Sequence, residues 1–194
     1  IELGLQGDFV FSMARQVVAD IGACLDRGLD PGQVSLNIPE VALATISGRQ
    51  ALQDILDRSP RVRAHLTFEI TEDVFIARSA DVIQTSITGF RDQGIRISLD
   101  DFGTGFASFH HLQRLDFDEL KIDTDFVRGL GHNSTAEVLV RGFLDIASGI
   151  GVDVVAEGVE TTDQERALTN MGCPMGQGHL YSPALPLEEV LTLL

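Results

Sequence analysis

Apolar and polar positions along the 194-residue chain change period repeatedly, and the changes predict alternating helices and strands. Phe9, Phe11, Met13, Val17, Val18, Ile21 and Leu25 form a broad apolar stripe, predicting a helix over 8–26 that Gly28 ends. Val34-Ser35-Leu36-Asn37-Ile38 reads as a short strand stopped by Pro39. A helix is expected within 41–56, a second strand over 65–70, and a helix over 79–93 closed by Gly94. A third strand follows over 95–100, a short helix over 107–115 and a fourth strand over 119–123. Ser134-x-x-Glu137 predicts a capping box opening a helix that runs to Ser148. Residues 152–157 form a fifth strand, and Thr162-x-x-Glu165 is expected to cap a helix ending at Gly172. A poorly patterned sixth strand over 175–181 and a helix over 187–194 close the chain.

Strands and helices joined by short links are the signature of right-handed βα units around a parallel sheet. No linker or low-complexity segment interrupts them, so residues 1–194 are expected to form one domain. Two closures remain open at this point: an open doubly wound sheet, or a (β/α)8 barrel. A barrel of that kind takes about 250 residues. The chain falls short of it by roughly two strands and opens mid-element at Ile1-Glu2-Leu3-Gly4 without an initiator Met. It therefore reads as a fragment whose first strands lay upstream.

Charge narrows the function. The net charge is −15, a surface that repels nucleic-acid polymers, which need a basic footprint. It equally repels small phosphate ligands unless bound cations reverse the local sign. No apolar run reaches the ~18 residues of a spanning helix, and the N-terminus has no secretory pattern. Cys24 and Cys173 lack metal-type spacing and predict a reduced protein. The expected location is the cytoplasm, with any membrane anchor of the parent protein lying outside this chain.

Candidate chemistry gathers where the predicted strands end. Asp100 and Asp101 stop the third strand and are followed by Phe102-Gly103-Thr104-Gly105, a segment suited to a tight turn. Successive strand residues point to opposite faces, so both acids serve one site only if the strand is already turning at Asp101. The plain alternative is that the two acids cap the next helix. Asn37, Glu69 with Glu72, Lys121 with Asp123, Glu157 with Glu160, and Gln177 occupy the corresponding ends of the other strands. In parallel α/β folds those ends share one face, where sites are built. Oxygen-bearing side chains converging on such a rim suit hard divalent cations. Lys121 is repelled as a ligand and makes sense as a group that orients water or steadies phosphate charge; its plain alternative is a pair with Asp123 or Glu119. No Ser-His-Asp set, poised cysteine nucleophile, P-loop or dinucleotide fingerprint is readable, and His110-His111 suit surface or packing roles.

Taken in order, these segments resemble the EAL-domain family of bacterial cyclic di-GMP phosphodiesterases. Ser35-Leu36-Asn37-Ile38 is similar to its N-L-S strand and Phe68-Glu69-Ile70-Thr71-Glu72 to its E-x-T-E segment. Asp100 to Gly105 is its D-D-F-G-T-G motif, Lys121-Ile122-Asp123 its K-I-D, and Glu157-Gly158-Val159-Glu160-Thr161 its E-G-V-E-T. Gln177-Gly178-His179-Leu180-Tyr181-Ser182 resembles the Q-G-x-x-F-S ending. The resemblance implies a modified (β/α)8 TIM-type barrel, here without its two N-terminal strands. It implies hydrolysis of cyclic di-GMP to linear pGpG with two Mg2+ or Mn2+ ions. By motif position, Asn37, Glu69 and Asp100 would hold one ion, and Asp100, Asp101 and Glu157 the other. Lys121 and Glu160 would be catalytic, Gln177 and Asp123 would contact substrate, and Glu72 and Thr104 would stabilise the loop after Asp101. The family further implies dimerisation through this domain and sensory or GGDEF domains in the parent.

Three departures qualify this. The E-A-L tripeptide, whose Glu is a ligand in the family, is absent, so the isolated fragment is expected to be inactive and the parent active. Pro39 replaces a Ser beside Asn37, and Tyr181 replaces Phe. The competing readings are a non-catalytic EAL-type receptor for cyclic di-GMP and an unrelated metal-dependent barrel enzyme acting on a carboxylate substrate.

Overall fold

The computed structural model describes residues 2–72, 79–103 and 116–194, the side chains of 2–6 and 8 excepted. The chain lays down β1 (Val34–Asn37), β2 (Leu66–Thr71), β3 (Arg96–Phe102), β4 (Glu119–Ile122), β5 (Asp153–Ala156) and β6 (Met175–Gly176). Every adjacent pair is parallel, and the strands lie side by side in the order of the sequence. That ordering decides between the two closures. A doubly wound sheet reverses its strand order at a switch point, whereas a barrel wall simply continues.

Helices cover one face of this wall: α1 (Glu2–Asp26), α2 (Glu40–Ala44), α3 (Ile46–Asp57), α4 (Ala80–Arg91), α5 (Thr124–Arg128), α6 (Ser134–Ile150) and α7 (Thr162–Met171), while the short α8 (Leu187–Val190) buries no residue. Leu36, Phe68, Ile70, Ile97, Leu99, Leu120, Ile122, Val154 and Ala156 point toward them and merge with Ile21, Leu52, Ile87 and Val140 in one apolar core. The opposite face has a different character. Thr67, Glu69, Ser98, Asp100, Glu119 and Lys121 are all buried there. Parallel sheets normally bury apolar runs on both faces, so a buried polar face marks a place where the fold serves chemistry.

Several predicted boundaries move, each for a local reason. The apolar stretch of 41–56 splits into α2 and α3 because Thr45 leaves the helical region and caps α3, its hydroxyl accepting from Gly48 N. Asn133, not Ser134, caps α6, since its Oδ1 accepts the Thr135 N–H at 2.9 Å. The capping box of α7 is Thr161 with Gln164, one residue earlier than Thr162 with Glu165. The sixth strand is confined to two residues and the last helix to one turn. The predicted helix over 107–115, with Thr104, Gly105 and His110-His111, lies outside the described residues.

Candidate active site

The site is built where β3 stops behaving as a regular strand. Pairing of β3 with β4 slips between Leu99 and Phe102, and Asp101 sits at φ 56°, the left-handed region that Asp tolerates better than most residues. A regular strand would send Asp100 and Asp101 to opposite faces. The bulge returns Asp101 to the same side, so carboxylate oxygens of Asp100, Asp101 and Glu157 all lie within 4.8 Å of one another. The condition set by the sequence, that the strand must already be turning at Asp101, is met. The turn is held from below: Phe143 packs edge-on against Phe102 at 5.5 Å and Phe126 at 5.1 Å. A β-carbon on Gly103, at φ 94°, would meet the Phe143 ring at 2.8 Å, so only glycine lets the turn rest on this aromatic cluster.

Lys121 occupies the centre. It is the only lysine in the chain and is 3% exposed. Its Nζ donates to Glu69 Oε1 at 2.6 Å, pairs with Glu157 Oε1, and lies 3.5 Å from Asp100 Oδ1. The plain alternative, a pair with Asp123 or Glu119, is not what forms: the ammonium links β2, β3 and the end of β5 across β4. Burial pushes its pKa down, but the hydrogen bonds it donates to Glu157 and Glu69 and their charges overturn that, and the net shift is upward. Lys121 is therefore a fixed cation.

The acids around it outnumber it. Glu69, Asp100, Asp101 and Glu157 present four carboxylates to one ammonium. Burial raises the Asp101 pKa, and the charges of Asp100 and Asp123 and a hydrogen bond with Asp123 raise it further, against the pull of Lys121. Burial also raises the Glu157 pKa, and its bond with Lys121 only partly compensates while Asp100 and Glu69 oppose ionisation. Three oxygen donors within reach of one point, with charge in excess, are the donor set a hard divalent cation fits.

The remaining predicted residues fall into four places. Asn37 is exposed and stands opposite Glu69 in the β1–β2 register; both open on a cavity of 660 Å3 that Phe9, Met13 and Thr71 also line. Glu72 is buried, and its Oε2 accepts the Gly103 N–H at 3.4 Å, tying the end of β2 to the turn after Asp101. Asp123 caps α5 by accepting the Asp125 N–H at 2.8 Å while sharing a hydrogen bond with Asp101. Glu160 and Gln177 are exposed and share a 470 Å3 cleft with Glu157, Thr124 and His179. That cleft is adjacent to the carboxylate cluster through Glu157.

Two neighbours of these residues were not singled out from the sequence. Gly158, at φ 66°, presses against Thr124 so closely that any β-carbon would collide with the threonine side chain. Gln164 is buried beneath the 157–160 segment and binds its backbone. Thr161-x-x-Gln164 was readable as a capping box one residue upstream of the predicted one; nothing in the sequence signals the Thr124 contact.

Comparison with known proteins agrees with this geometry. Residues 1–184 match the EAL domain family. The chain is 34% identical over 192 residues to the probable cyclic di-GMP phosphodiesterase PdeB of Escherichia coli K12, covering 98% of this chain and 36% of that protein. It is 34% identical over 167 residues to the bifunctional diguanylate cyclase/cyclic di-GMP phosphodiesterase MucR of Pseudomonas aeruginosa, covering 86% and 24%. The chain thus spans well under half the length of these curated relatives. Its fold matches the crystal structure of the EAL domain of Mycobacterium smegmatis DcpA with a TM-score of 0.85 at 31% identity, covering 93% of this chain and 81% of that one. The PaMucR phosphodiesterase in its c-di-GMP complex gives 0.89 at 30% identity, covering 97% and 76%. A family match over nearly its whole length, with the acidic residues of the matching motifs converging on one lysine, places this chain in the EAL domain family.

Proposed function

We propose that residues 1–194 form the larger part of one EAL domain, inactive by itself, which in the full parent chain hydrolyses one phosphodiester of cyclic di-GMP to linear pGpG with two Mg2+ or Mn2+ ions. The observation that carries this reading is the single buried lysine held among four carboxylates at the ends of neighbouring parallel strands. Asp100, Asp101 and Glu157 would hold one ion, and Asn37, Glu69 and Asp100 the other. When bound, such ions supply Lewis-acid polarisation of the phosphodiester and acidification of water. The names of PdeB and MucR, and the c-di-GMP complex of PaMucR, support the substrate.

The chain's own groups then divide the work. Lys121 stays protonated, so it donates hydrogen bonds and does not take a proton. It orients the attacking water and steadies negative charge developing on the phosphoryl oxygens. Glu160 and Gln177, at the mouth of the neighbouring cleft, contact water and substrate. Asp123 restrains Asp101 and faces substrate, and Glu72, with Thr104, stabilises the loop beyond Gly103. Sensory or GGDEF domains in the parent protein and a homodimer of this domain belong to the same proposal.

The test is incubation of the full-length protein with cyclic di-GMP and Mn2+, with products separated by chromatography. Linear pGpG formed with Mn2+ and abolished by chelation is the expected result. Tight binding of cyclic di-GMP without turnover would replace this reading with that of a receptor.

A further inference from the structure

The segment 157–160 carries two acids and is held along its length by different devices. Glu157 N–H donates to Ile122 O at 3.0 Å, an extension of the sheet. Val159 N–H donates to Gln177 O at 3.0 Å, and Val159 O accepts the Leu180 N–H at 3.0 Å. Glu160 lies beyond these bonds, and its carboxylate makes no hydrogen bond or ion pair among the described residues. Its backbone is caught by a side chain: Gln164 Oε1 accepts the Glu160 N–H at 2.8 Å and the Thr161 N–H at 2.9 Å. Gln164 N–H in turn donates to Thr161 Oγ1 at 3.3 Å, and Gln164 is 8% exposed. Two N–H donors converging on one atom settle the orientation of this amide, because its NH2 end cannot accept.

A capping box needs the side chain at its third position to accept only the amide of the cap residue itself. Here the same oxygen takes a second amide, that of the residue before the cap, and this residue is Glu160. We infer that Gln164 is a positioning residue whose buried oxygen sets the backbone of Glu160 and so holds that carboxylate at the mouth of the cleft it shares with Glu157 and Gln177. Glu157 has its own anchor in the sheet, so the loss of Gln164 separates the two acids functionally: the carboxylate cluster stays while Glu160 wanders. The kinetic part of this inference rests on the hydrolytic reading above; the structural part does not.

The experiment compares Gln164→Leu and Gln164→Glu with wild type in the full-length protein, by residue-resolved hydrogen-exchange mass spectrometry and by kinetics with cyclic di-GMP and Mn2+. In Gln164→Leu the Glu160 and Thr161 amides should exchange about tenfold faster or more, with the Val159 amide unchanged. Turnover should fall about 10- to 100-fold, while KM and the Mn2+ midpoint stay within about threefold, as expected for a displaced group rather than a lost ligand. Gln164→Glu accepts both N–H groups and should restore both readouts. Unchanged exchange at the two amides in Gln164→Leu, wild-type turnover despite faster exchange, or Gln164→Glu behaving like Gln164→Leu would each overturn the inference. So would faster exchange spread over the whole domain, the mark of a general structural role. If wild type does not hydrolyse cyclic di-GMP, the functional reading fails, and the exchange rates alone decide whether Gln164 holds Glu160.

Discussion

Replacing Lys121 with Ala separates two roles that one side chain combines. Among the described residues the ammonium is the sole countercharge inside a group of four carboxylates, and three of these approach it within 3.5 Å. Removing one partner of a buried ion pair leaves unpaired buried charge and costs about 3–5 kcal/mol. In a domain of this size each kcal/mol lowers the melting temperature by about 2–4 °C, so the metal-free mutant should melt roughly 6–20 °C below wild type. Mn2+ supplies positive charge to the same carboxylates and should recover most of that loss. Turnover should behave differently. A preorganised donor to developing charge is worth about 10²–10³ in rate, and no excess of metal replaces its hydrogen bonds. The assay is a Mn2+ titration of wild type and Lys121→Ala, followed in parallel by melting temperature and by hydrolysis of cyclic di-GMP. Rescue of stability without rescue of turnover is the expected result. A folded mutant with near-normal turnover, or one whose turnover returns with Mn2+, would refute the assignment.

Asp101→Ala should show the opposite pattern, a Mn2+ midpoint raised about tenfold or more with turnover partly rescued at high metal, because it removes a ligand and spares the lysine. Asp118 should make stability fall in acid. Burial opposes its ionisation, yet the Arg91 guanidinium at 2.6 Å and the Ile97 N–H at 2.9 Å hold its pKa below the usual aspartate value. Its stabilisation is therefore complete above the unfolded pKa and is lost as pH falls through the folded one; Asp118→Asn should flatten that part of a melting-temperature profile and cost about 1–3 kcal/mol at neutral pH. Gly158→Ala should destabilise by about 1–3 kcal/mol, from its positive φ and from collision with Thr124. In chemical denaturation Thr124→Gly should relieve the collision but not the backbone term, so the double mutant should recover only part of the loss.

The alternation of apolar and polar residues determined a great deal on its own. It set the sequence of strands and helices, because period reports which face of an element is buried, and it put every proposed site residue at or just after the end of a strand. Composition added that phosphate chemistry on so acidic a chain calls for cations. What the pattern could not carry was the identity of neighbours. Strand order, and with it the choice of a barrel wall over a doubly wound sheet, depends on pairings between residues far apart in sequence. The same limit applies to Lys121: Glu119 and Asp123 were equally good partners on paper, and only the assembled sheet brought Glu69 and Glu157 to it from separate strands. The paired aspartates show where local and tertiary information meet. Glycines after Asp101 announced a turn, but the slipped register against β4 and the aromatic packing under Gly103 decided that both carboxylates face one site. The contact of Thr124 with Gly158 belongs wholly to the tertiary structure, whereas Gln164 is half legible: its capping box with Thr161 is a local pattern, and only the folded loop shows the same oxygen taking the Glu160 N–H as well.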